Sequence, residues 1–122
     1  MKICITSTGK DLNASVDQRF GRCQYFLIVN TETMDAKAVL NESAMSSGGA
    51  GIQAAQIVTK QEVDSVITGN IGPNAFQILQ AAGIKVFTGV EGTIKEAMER
   101  YKNGTLNETG SANVESHSGL RR

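Results

Sequence analysis

The chain has 122 residues, with twelve basic and twelve acidic side chains, so its formal net charge is zero, and 40% of its residues are apolar. This length suits one domain with a single core, and a neutral chain offers no overall field to attract nucleic acid or an anionic membrane. No apolar run approaches the ~20 residues that span a bilayer, and residues 1–6 do not resemble a signal peptide, so we expect a cytoplasmic protein.

The first half of the chain predicts three strands followed by a helix. Residues 2–7 and 24–31 are rich in β-branched and aromatic side chains, and residues 36–40 return from a predicted hairpin turn. The glycines that follow lead into a predicted helix over residues 51–60, with Ile52, Ala55 and Val58 on its buried face.

The second half alternates short strands with helices. Residues 65–68 predict a buried strand, and Pro73 suits the first turn of a helix that buries Phe76, Leu79 and Ala82 and stops at Gly83. Another short strand is predicted just after this stop.

A capping box predicts where the last helix begins. Thr93 caps the helix start and Glu96 reaches back to it, while Gly104 ends the helix. The predicted order is therefore β-β-β-α-β-α-β-α, an α/β fold whose mixed five-stranded sheet lies between helices in a three-layer α/β/α arrangement. We expect residues 1–104 to form one monomeric domain and residues 105–122, which are polar, to form a flexible tail.

Two glycine-rich segments precede predicted helices. Residues 46–55 read SSGGAGIQAA and residues 69–74 read GNIGPN. A helix start carries free N–H groups and the positive end of the helix dipole, so both segments favour an anion site. They leave strands at the same sheet edge, as does the segment 89–92. The alternative is that the glycines serve only tight turns and close helix–sheet packing.

The sequence argues against two common phosphate-binding sites. Residues 49–54 match the G-x-G-x-x-A dinucleotide pattern, but residues 41–48 separate it from the preceding strand and no acidic residue ends the next one. No lysine follows these glycines as a P-loop requires.

A segment with two arginines precedes the second predicted strand. The guanidinium groups of Arg19 and Arg22 would suit an anion with several oxygen or sulfur atoms, or they are solvated surface residues. Cys23 is a candidate ligand for a soft metal, or a small apolar residue packed at the strand start.

No catalytic constellation is evident. His117 is the only histidine and lies in the predicted tail. A metal-dependent nuclease on this scaffold would need acids where Cys4, Thr6, Gly69 and Asn70 stand. We therefore expect a protein that is not an enzyme and does not act on nucleic acid.

Three segments together resemble a known family: residues 19–26 (RFGRCQYF), 48–55 (GGAGIQAA) and 69–76 (GNIGPNAF). They are similar to the dinitrogenase iron-molybdenum cofactor biosynthesis proteins, which include NifX, NafY and the C-terminal part of NifB, and which also occur in anaerobes that need not fix nitrogen. The resemblance implies a ribonuclease H-like fold over residues 1–104. It also implies binding of a metal–sulfur cluster, such as the iron–molybdenum cofactor, its precursor, or the molybdenum–copper sulfide cluster of the orange protein, with cluster-assembly or cluster-receiving proteins as partners.

The resemblance and the residues together predict non-catalytic binding, storage or delivery of an anionic metal–sulfur cluster, which the isolated protein can lack. Many members of the family carry a histidine where this chain has Arg19 or the Ser46–Ser47 pair, which favours noncovalent holding, with Cys23 as the nearby soft ligand. The alternative is a metal-free regulatory module that binds a phosphorylated metabolite or a protein. The predicted cofactor-binding residues are Arg19, Phe20, Gly21, Arg22, Cys23, Ser47, Gly48, Gly49, Ala50, Gly51, Asn70, Ile71, Gly72 and Asn74.

Overall fold

The predicted element order is confirmed by a computed structural model, which describes residues 1–46, 48–110 and 112. Each observed element lies within one or two residues of the predicted one. The elements are β1 (Lys2–Ser7), β2 (Tyr25–Asn30), β3 (Ala36–Leu40), α1 (Ala50–Thr59), β4 (Ser65–Ile67), α2 (Pro73–Ala81), β5 (Lys85–Phe87) and α3 (Ile94–Lys102).

The five strands form one mixed sheet in the order β3-β2-β1-β4-β5. Strand β2 is antiparallel to both β1 and β3, whereas β4 is parallel to β1 and to β5. Four strands therefore run in the same direction and end at one edge of the sheet. The segments that follow β1, β3, β4 and β5 all start at this edge, which brings the glycine-rich loops and the arginine segment to the same end of the molecule.

Two apolar layers cover the sheet because its side chains alternate between faces. Ile3 and Ile5 of β1 belong to a cluster with α3, and Cys4 between them belongs to the cluster that includes α1 and α2. The fold is thus a three-layer α/β arrangement with two helices on one face and one on the other. The ribonuclease H-like assignment stays a prediction.

Two predicted buried positions are wrong. Ile52 is 36% exposed, because α1 contacts the sheet through Ala54, Ala55 and Val58 instead. Small residues on that face allow α1 to approach the sheet and α2 closely, which leaves the longer Ile52 side chain outside. Ala82 is exposed because α2 ends at the preceding residue.

The packed unit extends beyond the predicted boundary at residue 104. Leu106 packs against the α3 cluster, and the Thr109 amide donates to the Val86 carbonyl oxygen at 2.7 Å. The Thr109 hydroxyl oxygen accepts from the Thr88 amide at 3.0 Å, so this segment lies along β5. The flexibility of the segment from residue 105 onward stays a prediction. Its remainder (residues 111 and 113–122, with His117) lies outside the described residues.

Candidate functional site

The arginine segment is joined to the loop after β4 by backbone hydrogen bonds. The Phe20 amide donates to the Asn70 carbonyl oxygen at 3.2 Å, and the Asn70 amide donates to the Gln18 carbonyl oxygen at 2.8 Å. Arg19 and Asn70 thereby form an isolated parallel bridge. Two segments that are 51 residues apart in sequence are held in a fixed register, outside any strand.

The same segment touches the first turn of α1 through Gly21. A Cβ atom at residue 21 would lie 3.0 Å from the Gly51 amide nitrogen and 3.1 Å from its Cα. Only a residue without a side chain fits here without a shift of one backbone. A Cβ at Gly51 would in turn lie 3.7 Å from Ala75, so the starts of α1 and α2 are close as well.

A cleft of about 350 Å³ lies where the arginine segment meets the start of α2. The α1 start adjoins this cleft through the Gly21 contact, but its glycines do not line it. The arginine segment and the α2 start therefore share this cleft, whereas the α1 start lies behind the cleft wall. The lining residues are Gln18, Arg19, Phe20, Gly21, Asn70, Ile71 and Gly72.

The starts of α1 and α2 differ from the start of α3. Within the described residues, Gly49 and Gly72 cap α1 and α2 without a side-chain hydrogen bond, and neither first turn contains an acidic residue. The α3 start carries the full capping box, with the Thr93 hydroxyl accepting from the Glu96 amide at 3.1 Å. The loop at 89–92 therefore leads to a helix start that is already capped by an acidic side chain, and it is not a third anion site.

Arg19 is exposed but ion-paired. Its Nε lies 3.2 Å from Asp17 Oδ1 and its Nη2 lies 3.3 Å from Asp17 Oδ2. The hydrogen bond to Asp17 and the charge of that carboxylate raise the pKa of Arg19 above its usual value. The Arg19 charge at the cleft is thus largely compensated by a neighbour that the sequence interpretation did not include.

Arg22 contacts backbone carbonyl groups, whereas Arg19 contacts a carboxylate. Its Nη1 donates to the carbonyl oxygens of Ala44 at 2.8 Å and Ser46 at 2.6 Å, which ties the segment after β3 to the segment before β2. Among the described residues, no carboxylate lies within ion-pair distance of Arg22. The two arginines share a second groove of about 680 Å³, lined by Arg19, Arg22, Gln24, Leu40, Asn41, Glu42, Ala44 and Met45.

Cys23 is a buried thiol in this conformation. Its Sγ lies 3.5 Å from the Phe20 carbonyl oxygen and 3.7 Å from Asn41 Nδ2, and the residue has no exposed surface. Burial, and secondarily the nearby Asp17 carboxylate, raises the pKa of Cys23 to about 12. Because the thiol is inaccessible to solvent in this conformation, the structure favours the packed apolar residue over the metal ligand.

The other predicted residues divide into exposed and buried ones. Gly48, Gly49 and Asn74 are exposed, whereas Ala50 and Ile71 are buried. The Phe20 ring is in the core, 5.8 Å from the Phe26 ring centroid, so a cleft ligand would meet its backbone only. Ser47 lies outside the described residues.

Sequence reasoning missed Asp17 and Gln18, the two residues directly before the arginine segment. Neither residue is among the predicted site residues. The available signal was the spacing of Asp17 and Arg19, because an aspartate often accepts a hydrogen bond from the backbone two residues later. That bond is present, from the Arg19 amide to Asp17 Oδ1 at 3.0 Å.

The chemistry of the site suits an anion held without metal–ligand bonds. Among the described residues, no group of three or more His, Cys, Asp or Glu side chains could hold a metal ion. The cleft instead offers the start of α2, which no side chain caps, and the Arg19 guanidinium. In the described part of the chain, none of the helices has the length and apolar character to span a bilayer.

Comparison with known proteins decides the family. The model of the family described as dinitrogenase iron-molybdenum cofactor matches residues 1–104. The chain belongs to this family. The match covers every strand and helix of the structure, together with the arginine segment and both glycine-rich loops.

Two solved structures have the same fold as this member of the dinitrogenase cofactor family, and a third relative is similar in sequence. The apo form of the orange protein from Desulfovibrio gigas is 43% identical, with a TM-score of 0.89 over 92% of this chain and 95% of that one. A NifB-like protein from Thermotoga is 36% identical, with a TM-score of 0.77 over 92% of this chain and 97% of that one. An uncharacterized protein of Methanocaldococcus jannaschii is 29% identical over 97 residues, which cover 77% of this chain and 82% of that protein.

Proposed function

We propose that this protein binds an anionic metal–sulfur cluster without catalysis and stores it or delivers it to another protein. The observation that carries the proposal is the junction of Gly21 with Gly51 and of Arg19 with Asn70. This junction joins the arginine segment to two helix starts that no side chain caps, of which the α2 start lines the cleft and the α1 start lies behind its wall. Helix N-termini and arginine are the groups that proteins use to hold anions.

Family membership supports a cargo of the iron–molybdenum or molybdenum–copper type. The similarity to the orange protein, whose apo form has been solved, adds to that support. We place the protein in the cytoplasm of an anaerobe, as a monomer with cluster-assembly or cluster-receiving proteins as partners. The backbone amides in the first turn of α2 would hold the cargo by hydrogen bonds to its sulfur or oxygen atoms, and Arg19 and Arg22 would supply positive charge nearby.

The test is retention of a chromophore. Protein is mixed anaerobically with tetrathiomolybdate and copper, or with an iron–sulfur–molybdenum cluster, desalted, and measured by visible spectroscopy. We expect the wild-type protein to retain the chromophore. A wild-type protein that retains none of these clusters would contradict the proposal.

A matched pair of variants locates the site. Gly72→Val places a side chain at the cleft wall, where a Cβ meets no atom within 4 Å, so the fold should be preserved while the cleft narrows. Gly110→Val is the control, because Gly110 also has open space around it and does not line this cleft. We expect Gly72→Val alone to lose the chromophore, and equal retention in both variants would place the site elsewhere.

A metal-free module that binds a phosphorylated metabolite or a protein is the second candidate. The observation that favours it is the complete burial of Cys23, which is the predicted soft ligand for a metal. Metal analysis of the protein purified anaerobically from its native host separates the two. Stoichiometric molybdenum or iron favours the cluster, whereas metal-free protein together with a bound phosphorylated compound favours the module.

A further inference from the structure

The Asp17 carboxylate is fixed in the wall between β1 and the cleft. The Asp17 amide donates to the Thr6 carbonyl oxygen at 2.8 Å, and the Asp17 carbonyl oxygen accepts from Thr6 Oγ1 at 2.7 Å. These bonds fix the Asp17 backbone, while the carboxylate itself is held by the Arg19 amide, which donates to Asp17 Oδ1 at 3.0 Å, and the Asp17 side chain is only 7% exposed. It is a buried negative charge with a fixed position.

The partner of that charge is exposed to solvent. The Arg19 side chain is 67% exposed, and Arg19 lines both the cleft and the adjoining groove. Among the described residues, it is the sole cation within ion-pair distance of Asp17. Asp17 occupies the Nε and Nη2 donors of the guanidinium, which are two of the positions through which arginine binds anions in a bidentate manner.

We propose that Asp17 is a positioning residue that competes with anionic cargo for Arg19 and thereby weakens cargo retention. This inference rests on the proposed cluster-binding function. When cargo binds, the guanidinium turns toward it, and Asp17 keeps the hydrogen bond from the Arg19 amide as a partner. When cargo leaves, the ion pair forms again. A carrier benefits from such an internal competitor because delivery requires release, and affinity differences between related complexes appear mainly in the dissociation rate.

Two probes test the inference. The first is tetrathiomolybdate with copper, followed by chromophore retention and by its rate of loss to a chelator. The second is inorganic molybdate, followed by NMR shifts of the Gly21 and Gly72 amides, because both residues line the cleft. Asp17→Asn keeps the size of the side chain and an oxygen for the Arg19 amide, but it removes the charge. The control is Asp35→Asn, which makes the same charge change in the hairpin at the opposite end of the sheet.

We expect Asp17→Asn to bind either probe roughly five- to tenfold more tightly and to release it more slowly, because it frees a charge-assisted donor pair. Asp35→Asn should match the wild type. The gain should disappear in an Arg19→Gln background, since Asp17 is inferred to act through Arg19 and a double-mutant cycle isolates that coupling.

Several results would overturn the inference. Unchanged or weaker binding by a folded Asp17→Asn protein would do so, as would an equal gain in the Arg19→Gln background. If Asp17→Asn does not fold, the wild-type protein decides: the NMR signal of Arg19 Nε–H should shift on molybdate saturation, and an unshifted signal overturns the inference. Loss of cluster retention in every variant contradicts the proposed function, while the molybdate arm still decides the role of Asp17. Absence of molybdate shifts in every variant overturns that role as well.

Discussion

The backbones of Gly21 and Gly51 are in direct contact. A Cβ atom built on Gly21 would lie 3.0 Å from the Gly51 amide nitrogen, which is too close for an unstrained side chain. This contact joins the segment before β2 to the first turn of α1. This contact explains why residue 21, between Arg19 and Arg22, is a glycine. From the sequence alone, the same glycine is interpreted as part of a ligand-binding motif. Substitution of Gly21 therefore tests this contact directly.

Gly21→Ala should destabilise the protein and weaken cluster retention. The added methyl group must push the arginine segment away from α1, and such overpacking costs about 1–3 kcal/mol. Chemical denaturation gives the free energy of unfolding. Gly48→Ala is the control, because a Cβ at Gly48 meets no atom within 4 Å, and we expect it to change the stability by less than about 0.5 kcal/mol. Equal stability of the two variants would contradict the close contact.

Arg22→Ala should loosen the segment after β3. The substitution removes the Nη1 hydrogen bonds to the carbonyl oxygens of Ala44 and Ser46. Hydrogen bonds from a charged group contribute about 1.5–3 kcal/mol in general, and we expect the low end because these bonds are exposed to solvent. Hydrogen exchange should accelerate at the Ala44 and Ser46 amides, while the amides of β1 stay protected. Arg22→Lys should fall between the wild type and alanine, and unchanged exchange in Arg22→Ala would show that the bonds do not hold the segment.

Stability should fall at alkaline pH because of the buried thiols. Burial raises the pKa of Cys23 to about 12 and that of Cys4 well above its usual value, whereas an unfolded thiol titrates near ~8.5. A group with a raised folded pKa stabilises the fold fully below the unfolded pKa, and this contribution is lost as the pH rises toward the folded one. Each thiol should therefore cost about 1.4 kcal/mol per pH unit above roughly pH 9.

Cys23→Ala separates the thiol from the other groups that titrate at high pH. Between pH 9 and pH 11 its free energy of unfolding should fall less steeply than that of the wild type, by the contribution of one thiol. An identical slope in both proteins would show that Cys23 ionises as readily in the folded chain as in the unfolded one. The wild-type thiols should also resist alkylation at pH 8 until denaturant is added.

Thr93→Ala should lower the stability of the protein without changing its retention of the cluster. It removes the hydroxyl that accepts from the Glu96 amide at the start of α3, and loss of such a cap costs about 1 kcal/mol. Because α3 covers the face of the sheet opposite to α1 and α2, cluster retention should match the wild type while the midpoint of thermal unfolding falls. A loss of retention in the stable, folded variant would extend the site to the α3 start.

The sequence predicted most of the elements because their signals are local. The capping box at Thr93, the proline at the start of α2 and the β-branched strands depend on neighbours within a few residues. The residues that α1 and α2 bury were less predictable. Ile52 is more apolar than the alanines beside it, but the narrow space between α1 and the sheet selects small residues, and this is a property of the packed neighbours.

The candidate site shows the same division. Sequence alone determined that glycine-rich helix starts and an arginine segment occur in this chain, and strand order implied that they meet at one sheet edge. The tertiary structure decided what each residue does there. Arg19 is held by Asp17, Arg22 holds a backbone segment, and the Cys23 thiol is buried. These roles depend on partners, burial and distances across the fold, and such quantities are fixed only when distant segments of the chain pack together.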